Sequence, residues 1–267
     1  MMTFSESQPG KRAFQGFSLI ELMIALLLGS LITLAAVQLF STNNQAFQLQ
    51  RGLTDVQEQG RFGLNFVSRQ MRMMGYEDPD LGLADTAGLV LNDFIDGAVT
   101  YPASAEGGTG NPGNDRLTFS RHGDIGDSDC EGDVLAIPKL VVSTYWVQGD
   151  ELFCMGNVDA ATTGISVISG VDSFQVLAGI DSSPNGVPAA TLYKKIDSVL
   201  ATDQIVTMRL GLVLQATQNI PTPAASKDIL ILDRQLSSGG GGPVEEPAVR
   251  RVFVTTVRIR NVAWGDI

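Results

Sequence analysis

The chain has 267 residues and is acidic, with 18 Lys and Arg against 29 Asp and Glu and a formal net charge of −11. Nucleic-acid binding draws on a basic surface, so that class is excluded. A single histidine, His122, stands far from both cysteines, and neither a glycine-rich phosphate loop nor a His-Glu-x-x-His motif occurs; no enzyme is expected.

Residues 1–15 form a short polar leader with Lys11 and Arg12 near its end. Residues 17–40 are a continuous apolar run whose one charge is Glu21. As a helix rising about 1.5 Å per residue, the run reaches roughly 36 Å, enough to cross a hydrocarbon core of about 30 Å. A cleaved secretory signal has an apolar region of only about 7–15 residues. The basic pair before the span holds the N-terminus in the cytoplasm, so everything after Phe40 faces outward. Because an ionisable group at bilayer depth costs roughly 2.5–3.5 kcal/mol, Glu21 is expected to have a partner.

Beyond the span, Leu53, Val56, Gly60, Leu64, Val67, Met71 and Met74 recur at spacings of three and four. That stripe predicts an amphipathic helix over 41–75, weakened by Gly52, Gly60 and Gly63. Residues 17–75 then read as one long helix, with Gly75 as its C-terminal cap and Pro79 soon after. Residues 76–113 are rich in Gly, Asp, Ala and Pro and read as a loop-dominated connector. The period then changes to two. Strands are expected over 116–120, over 140–147 and 151–155 about a Gly149-Asp150 turn, and over 164–168, 173–177, 205–214, 229–232 and 251–262. Residues 237–247 read as a flexible acidic loop inside the head rather than a domain boundary. One long helix followed by many short strands gives an α+β architecture, a helix packed on an antiparallel sheet, with residues 76–267 as the head.

Charge is uneven along the chain. Residues 41–74 hold Arg51, Arg61, Arg69 and Arg72 against Asp55 and Glu58, whereas residues 75–150 hold three basic and fourteen acidic residues. A solvated, soluble head accounts for this more simply than an electrostatic docking surface. Beyond an export segment, Cys130 and Cys154 are most simply one structural disulfide, because two thiols binding a metal would need two further ligands nearby. His122 is expected in a loop or at a sheet edge. Asp127, Asp129 and Glu131, followed by Gly132, imitate the start of an EF-hand calcium loop, but the twelfth position is Pro138 rather than a bidentate glutamate. No cofactor is expected; a calcium ion at Asp127, Asp129 and Glu131 stands as the alternative to a solvated acidic loop tied down by Cys130.

Lys11-Arg12, then Gly16-Phe17-Ser18-Leu19-Ile20-Glu21 and an apolar helix, resembles the class III leader of type IV prepilins and type II secretion pseudopilins. The resemblance implies that a prepilin peptidase cuts between Gly16 and Phe17 and methylates Phe17. It also implies that Glu21, fifth in the mature chain, pairs with the Phe17 amine of a neighbouring subunit. Gly170-Val171-Asp172-Ser173-Phe174-Gln175-Val176, Thr207-Met208-Arg209-Leu210-Gly211-Leu212, Arg250-Arg251-Val252-Phe253 and Thr255-Thr256-Val257-Arg258-Ile259-Arg260-Asn261 are similar to the PilW group of minor type IV pilins. The implied fold is pilin-like, and the implied place is the inner membrane, single-pass with the head periplasmic, and later the pilus tip. The implied partners are the prepilin peptidase, other minor pilins, the major pilin and the inner-membrane assembly platform. About 190 residues follow Met74, a bulk that favours the tip over a close-packed filament body, and the resemblance to minor pilins implies a role in priming assembly. A J-type minor pseudopilin at the tip of a secretion piston and a tip adhesin are the alternatives.

Overall fold

The computed structural model describes residues 16–84, 87–107, 113–159, 163–183, 187–216, 228–236 and 249–261. Helix α1 (Leu19–Met71) runs for 53 residues. Its first turn is closed by Ser18, whose Oγ accepts the amide of Glu21 at 3.2 Å. The helix ends slightly before the expected Gly75. After Met71 the chain turns down to Gly75, which adopts a left-handed φ of 72° and donates its amide to the Ser120 carbonyl at 3.1 Å.

The chain divides into two compact units, residues 1–47 and 48–267. In the first, every described residue is exposed. The second holds two four-stranded antiparallel sheets. One has the order β3 (Leu117–Gly123), β4 (Lys139–Gln148), β5 (Glu151–Gly156), β6 (Ile165–Ser169). The other has the order β12 (Arg250–Arg258), β9 (Gln204–Gln215), β7 (Val171–Asp181), β8 (Leu192–Lys195). Gly170 alone separates β6 from β7, with a φ of 76° that turns the chain from one sheet into the next. The Gly149-Asp150 hairpin forms as expected, with Gln148 opposite Glu151.

Val56, Val67, Met71 and Met74 of the helical segment share one core with Tyr145, Cys154 and Ile168 of the first sheet and Phe174, Met208, Leu210 and Val257 of the second. The part of the helix within this second unit therefore packs on both sheets. The three glycines expected to weaken it are all buried on its packed face. A methyl group at Gly60 would run into the ring of Phe253, and one at Gly63 would meet the tip of Ile168. These positions lower intrinsic helix propensity by about 1 kcal/mol each relative to alanine, and the close approach they permit offsets that loss.

Two small hairpins cover parts of the opposite faces. β1 (Phe94–Asp96) and β2 (Val99–Tyr101) lie within the stretch expected to be a loop-dominated connector, and their Tyr101 packs with Leu140, Val142 and Met155. β10 (Ile229–Ile231) and β11 (Arg234–Leu236) pack Ile231 and Leu236 on Val213. β12 stops at Arg258, earlier than the expected strand end. The acidic loop expected over 237–247 lies outside the described residues.

β8 pairs only with Leu177–Ile180, which leaves the start of β7 without a strand on that side. Asn114 and Asp115 take its place. Asn114 Oδ1 accepts the Phe174 amide at 2.9 Å, the Asp115 amide donates to the Phe174 carbonyl at 2.9 Å, and Asp115 Oδ2 accepts the Val176 amide at 2.7 Å. Asp115 is 3% exposed. Desolvation, only partly offset by the Val176 amide and reinforced by Glu106 and Asp233, pushes its carboxyl up to about 7.

Gly60→Leu is expected to lower stability by about 1–3 kcal/mol through overpacking. Phe253→Ala in the same chain should recover part of that loss, a coupling read from urea unfolding of the four detergent-solubilised variants. Asp115 has its folded pKa raised above the ordinary value of about 3.9, so the native state binds the extra proton and stability falls as pH rises from about 4 to 7. Asp115→Asn retains the acceptor for Val176 and removes the charge; its melting temperature should lose that downward slope across the same window.

Candidate functional site

The N-terminal segment is built for an apolar surrounding. Phe17 is 86% exposed, and Leu19, Ile20, Leu22, Leu26, Leu27 and Leu31 are all exposed beyond it. Its hydroxyl groups are satisfied within the helix, with Ser30 donating to the Leu27 carbonyl and Thr33 to the Gly29 carbonyl, each at 2.8 Å. These two hydroxyls thus need nothing from outside. Glu21 differs. It sits in the first turn, exposed, and among the described residues its carboxylate takes neither a hydrogen bond nor an ion pair. Gly16 and Phe17 lie just before the helix, outside regular structure and exposed, where a second macromolecule can reach the peptide bond between them.

The acidic loop is organised differently from the expected EF-hand start. Asp127 turns away to pair with Arg121 at 3.0 Å. Asp129, Glu131 and Asp133 are the carboxylates that converge, with ligand atoms within 4.8 Å of one another. Asp129 is 2% exposed and fully engaged as an acceptor: its Oδ1 takes the amides of Glu131, Gly132 and Asp133 at 3.0, 3.1 and 3.1 Å, and its Oδ2 takes Val158 at 3.2 Å. Glu131 accepts the Gly156 amide at 2.8 Å. Burial is the largest cause raising the Glu131 carboxyl, and nearby acids raise it further. The alternating acids therefore close a loop onto the end of β5. Glycine is needed at position 156, where any side chain would collide with the Asp129 carboxylate.

Cys130 and Cys154 form a disulfide with a Cα separation of 6.3 Å, both residues lying in the main core. It fastens the same loop to the middle of β5. His122 lies on β3, an edge strand, and is 4% exposed. Its Nδ1 accepts the Asp78 amide at 3.0 Å, so it organises the turn after the helix. Several residues that hold the head carry no local sequence signal. Arg250 pairs with Asp172, whose side chain is 1% exposed. Lys139 and Asn157 both donate to Asp96, at 2.8 and 3.0 Å. Their partners lie tens of residues away, and periodicity says nothing of such pairs.

Residues 133–261 match the family described as Type IV Pilus-assembly protein W. Residues 11–37 match the Prokaryotic N-terminal methylation motif, and the two matches together cover more than half of the chain. A solved structure, a type IV-like pilin from Thermus thermophilus, is similar at 13% identity with a TM-score of 0.46, over 77% of this chain and 97% of that one. No curated protein matches the sequence.

Breaking the disulfide is expected to lower stability by about 3 kcal/mol in the chain-entropy treatment of a loop of this length. Cys130→Ser and Cys154→Ser should lose similar amounts, and the double variant no more than either, as measured by unfolding under non-reducing conditions. Additive losses, or free thiols in the exported protein, would show that the bridge is not what holds the loop.

Proposed function

We infer the role of this chain from what its two family matches establish, that it belongs to the type IV minor pilins of the PilW type and is anchored through its apolar N-terminal helix. Its work is that of a structural subunit rather than an enzyme. The leader, residues 1–16, is removed by the prepilin peptidase between Gly16 and Phe17, and the new Phe17 amine is methylated. Residues 17–40 hold the subunit in the inner membrane, with Lys11 and Arg12 keeping the leader cytoplasmic and the head, residues 76–267, periplasmic. From there it assembles with other minor pilins, primes addition of the major pilin at the assembly platform, and is carried to the pilus tip.

The observation that carries this reading is Glu21. It is the one charge in an apolar run whose Ser30 and Thr33 hydroxyls bond within the helix, and its carboxylate has no partner among the described residues. A lone carboxylate at bilayer depth costs roughly 2.5–3.5 kcal/mol, and an ammonium from a neighbouring chain offsets that cost. The amine of a processed Phe17 supplies such an ammonium at the same depth. The size of the head supports a tip position, because a bulky head fits poorly into a close-packed filament body.

Mass spectrometry of membrane or filament material should find an N-methylated Phe17 terminus. Glu21→Ala should leave insertion and processing intact, since it removes an insertion cost, while crosslinking to other minor subunits and surface piliation fall. Glu21→Asp should be intermediate. Normal crosslinks and normal piliation with Glu21→Ala would sink the pairing mechanism.

A further inference from the structure

The outer edge of the second sheet is open. β12 pairs with β9 through a ladder without a register shift, from Arg250 opposite Gln215 to Arg258 opposite Thr207. The Ala216 amide bonds the Val249 carbonyl and the Ile259 amide bonds the Val206 carbonyl, so the odd-numbered residues of this strand turn their backbone groups toward β9. The even-numbered ones turn outward. Among the described residues no strand pairs with that side, and the outward amides and carbonyls of Val252, Val254, Thr256 and Arg258 have no partner. Natural sheets blunt such an edge with charged side chains, proline, a bulge or an inward charge, or cover it, and β12 has charges only toward its ends. β12 contains no proline and no bulge, and its centre is apolar, with Val252 43% and Val254 50% exposed.

The charges on this strand favour one kind of occupant. Arg251 and Arg258 are exposed toward its two ends and Arg260 just beyond, and among the described residues none of them forms an ion pair. Two copies pairing through this edge would set two arginine-bearing strands side by side with no carboxylate on either, since residues 250–258 contain no acidic residue. A second copy is therefore disfavoured. Carboxylates placed seven residues apart, about 23 Å along an extended chain, would meet Arg251 and Arg258 while the residues between them cover Val252 and Val254.

We propose that the outer edge of β12 is a docking site for an extended acidic segment of a different protein subunit, which adds to the sheet as a further strand. Backbone hydrogen bonds supply the affinity, and the arginines select the charge of the partner. This contact lies in the head and does not depend on Glu21.

The test uses the full chain in detergent and a fluorescein-labelled octapeptide of alternating threonine and valine with a glutamate at each end, beside a twin ending in lysines. The glutamate peptide should bind at least about tenfold more tightly than the lysine peptide, and Arg251→Glu with Arg258→Glu should reverse the order. Val254→Pro removes an outward amide only, so it should abolish binding with the melting temperature retained. If that variant fails to fold, hydrogen exchange on the wild type decides: the amides of Val252, Val254, Thr256 and Arg258 should exchange quickly in the free chain and become protected with the glutamate peptide. No binding by the glutamate peptide, equal binding of the two peptides, slow exchange at those amides in the free chain, or homodimer crosslinks through Val254→Cys would each overturn the proposal.

Discussion

The close approach of residues 52–74 to both sheets is the constraint on which the head depends. Gly60 admits the ring of Phe253 and Gly63 admits Ile168, so the helix rests on one strand from each sheet where a side chain would hold it off. One core then serves both sheets, running from Val56 and Val67 to Tyr145 and Met208. The sheets need no large second layer. Short hairpins, β1 with β2 and β10 with β11, cover apolar residues on their other faces. Helix propensity is lost at the glycines, and dispersion contacts that fall off steeply with separation are what the loss secures.

Much of the acidity of the head has a structural use. Carboxylates and amides stand in for missing strands: Asn114 and Asp115 finish the edge of β7, and Asp129 gathers the three amides that follow it. A carboxylate offers acceptors only, so it suits a run of outward amides. Burial raises the proton affinity of such a group, as at Asp115, and makes the satisfied network depend on pH. The acid-rich stretch therefore reflects loops that must be closed as well as a surface that must stay soluble.

The long helix, the period-two strands and the hairpin at Gly149-Asp150 were legible because each follows from a local repeat or a local turn. Gly52, Gly60 and Gly63 read as weak points along the helix, yet they are its contact face, since a small residue announces closeness only once its neighbour is known. The hairpin of β1 and β2 was hidden by its short strands among Gly, Asp and Ala. In the acidic loop the alternation of Asp127, Asp129 and Glu131 was real, but Arg121 draws Asp127 away and Asp133 joins in its place. Spacing told which oxygens could converge; the fold of the loop decided which did.

The two proposed contacts differ in a way that bears on assembly. In the proposed pairing, Glu21 of one subunit would meet the Phe17 amine of another, so each subunit would offer a carboxylate at one side and an amine at the other. Such a heterologous contact propagates without closing, which is the geometry of a filament. The β12 edge, as proposed, cannot propagate in this manner, because the strand carries no acidic residue to meet the arginines of another copy and has a single open side. The first contact, as proposed, would be open to any chain with a processed amine and a carboxylate at that depth and would supply cohesion without choosing neighbours. The second depends on the charge pattern of one strand and discriminates among them. A subunit that combines a permissive contact in the membrane with a selective one in the head can join a general polymer and still hold a defined place within it.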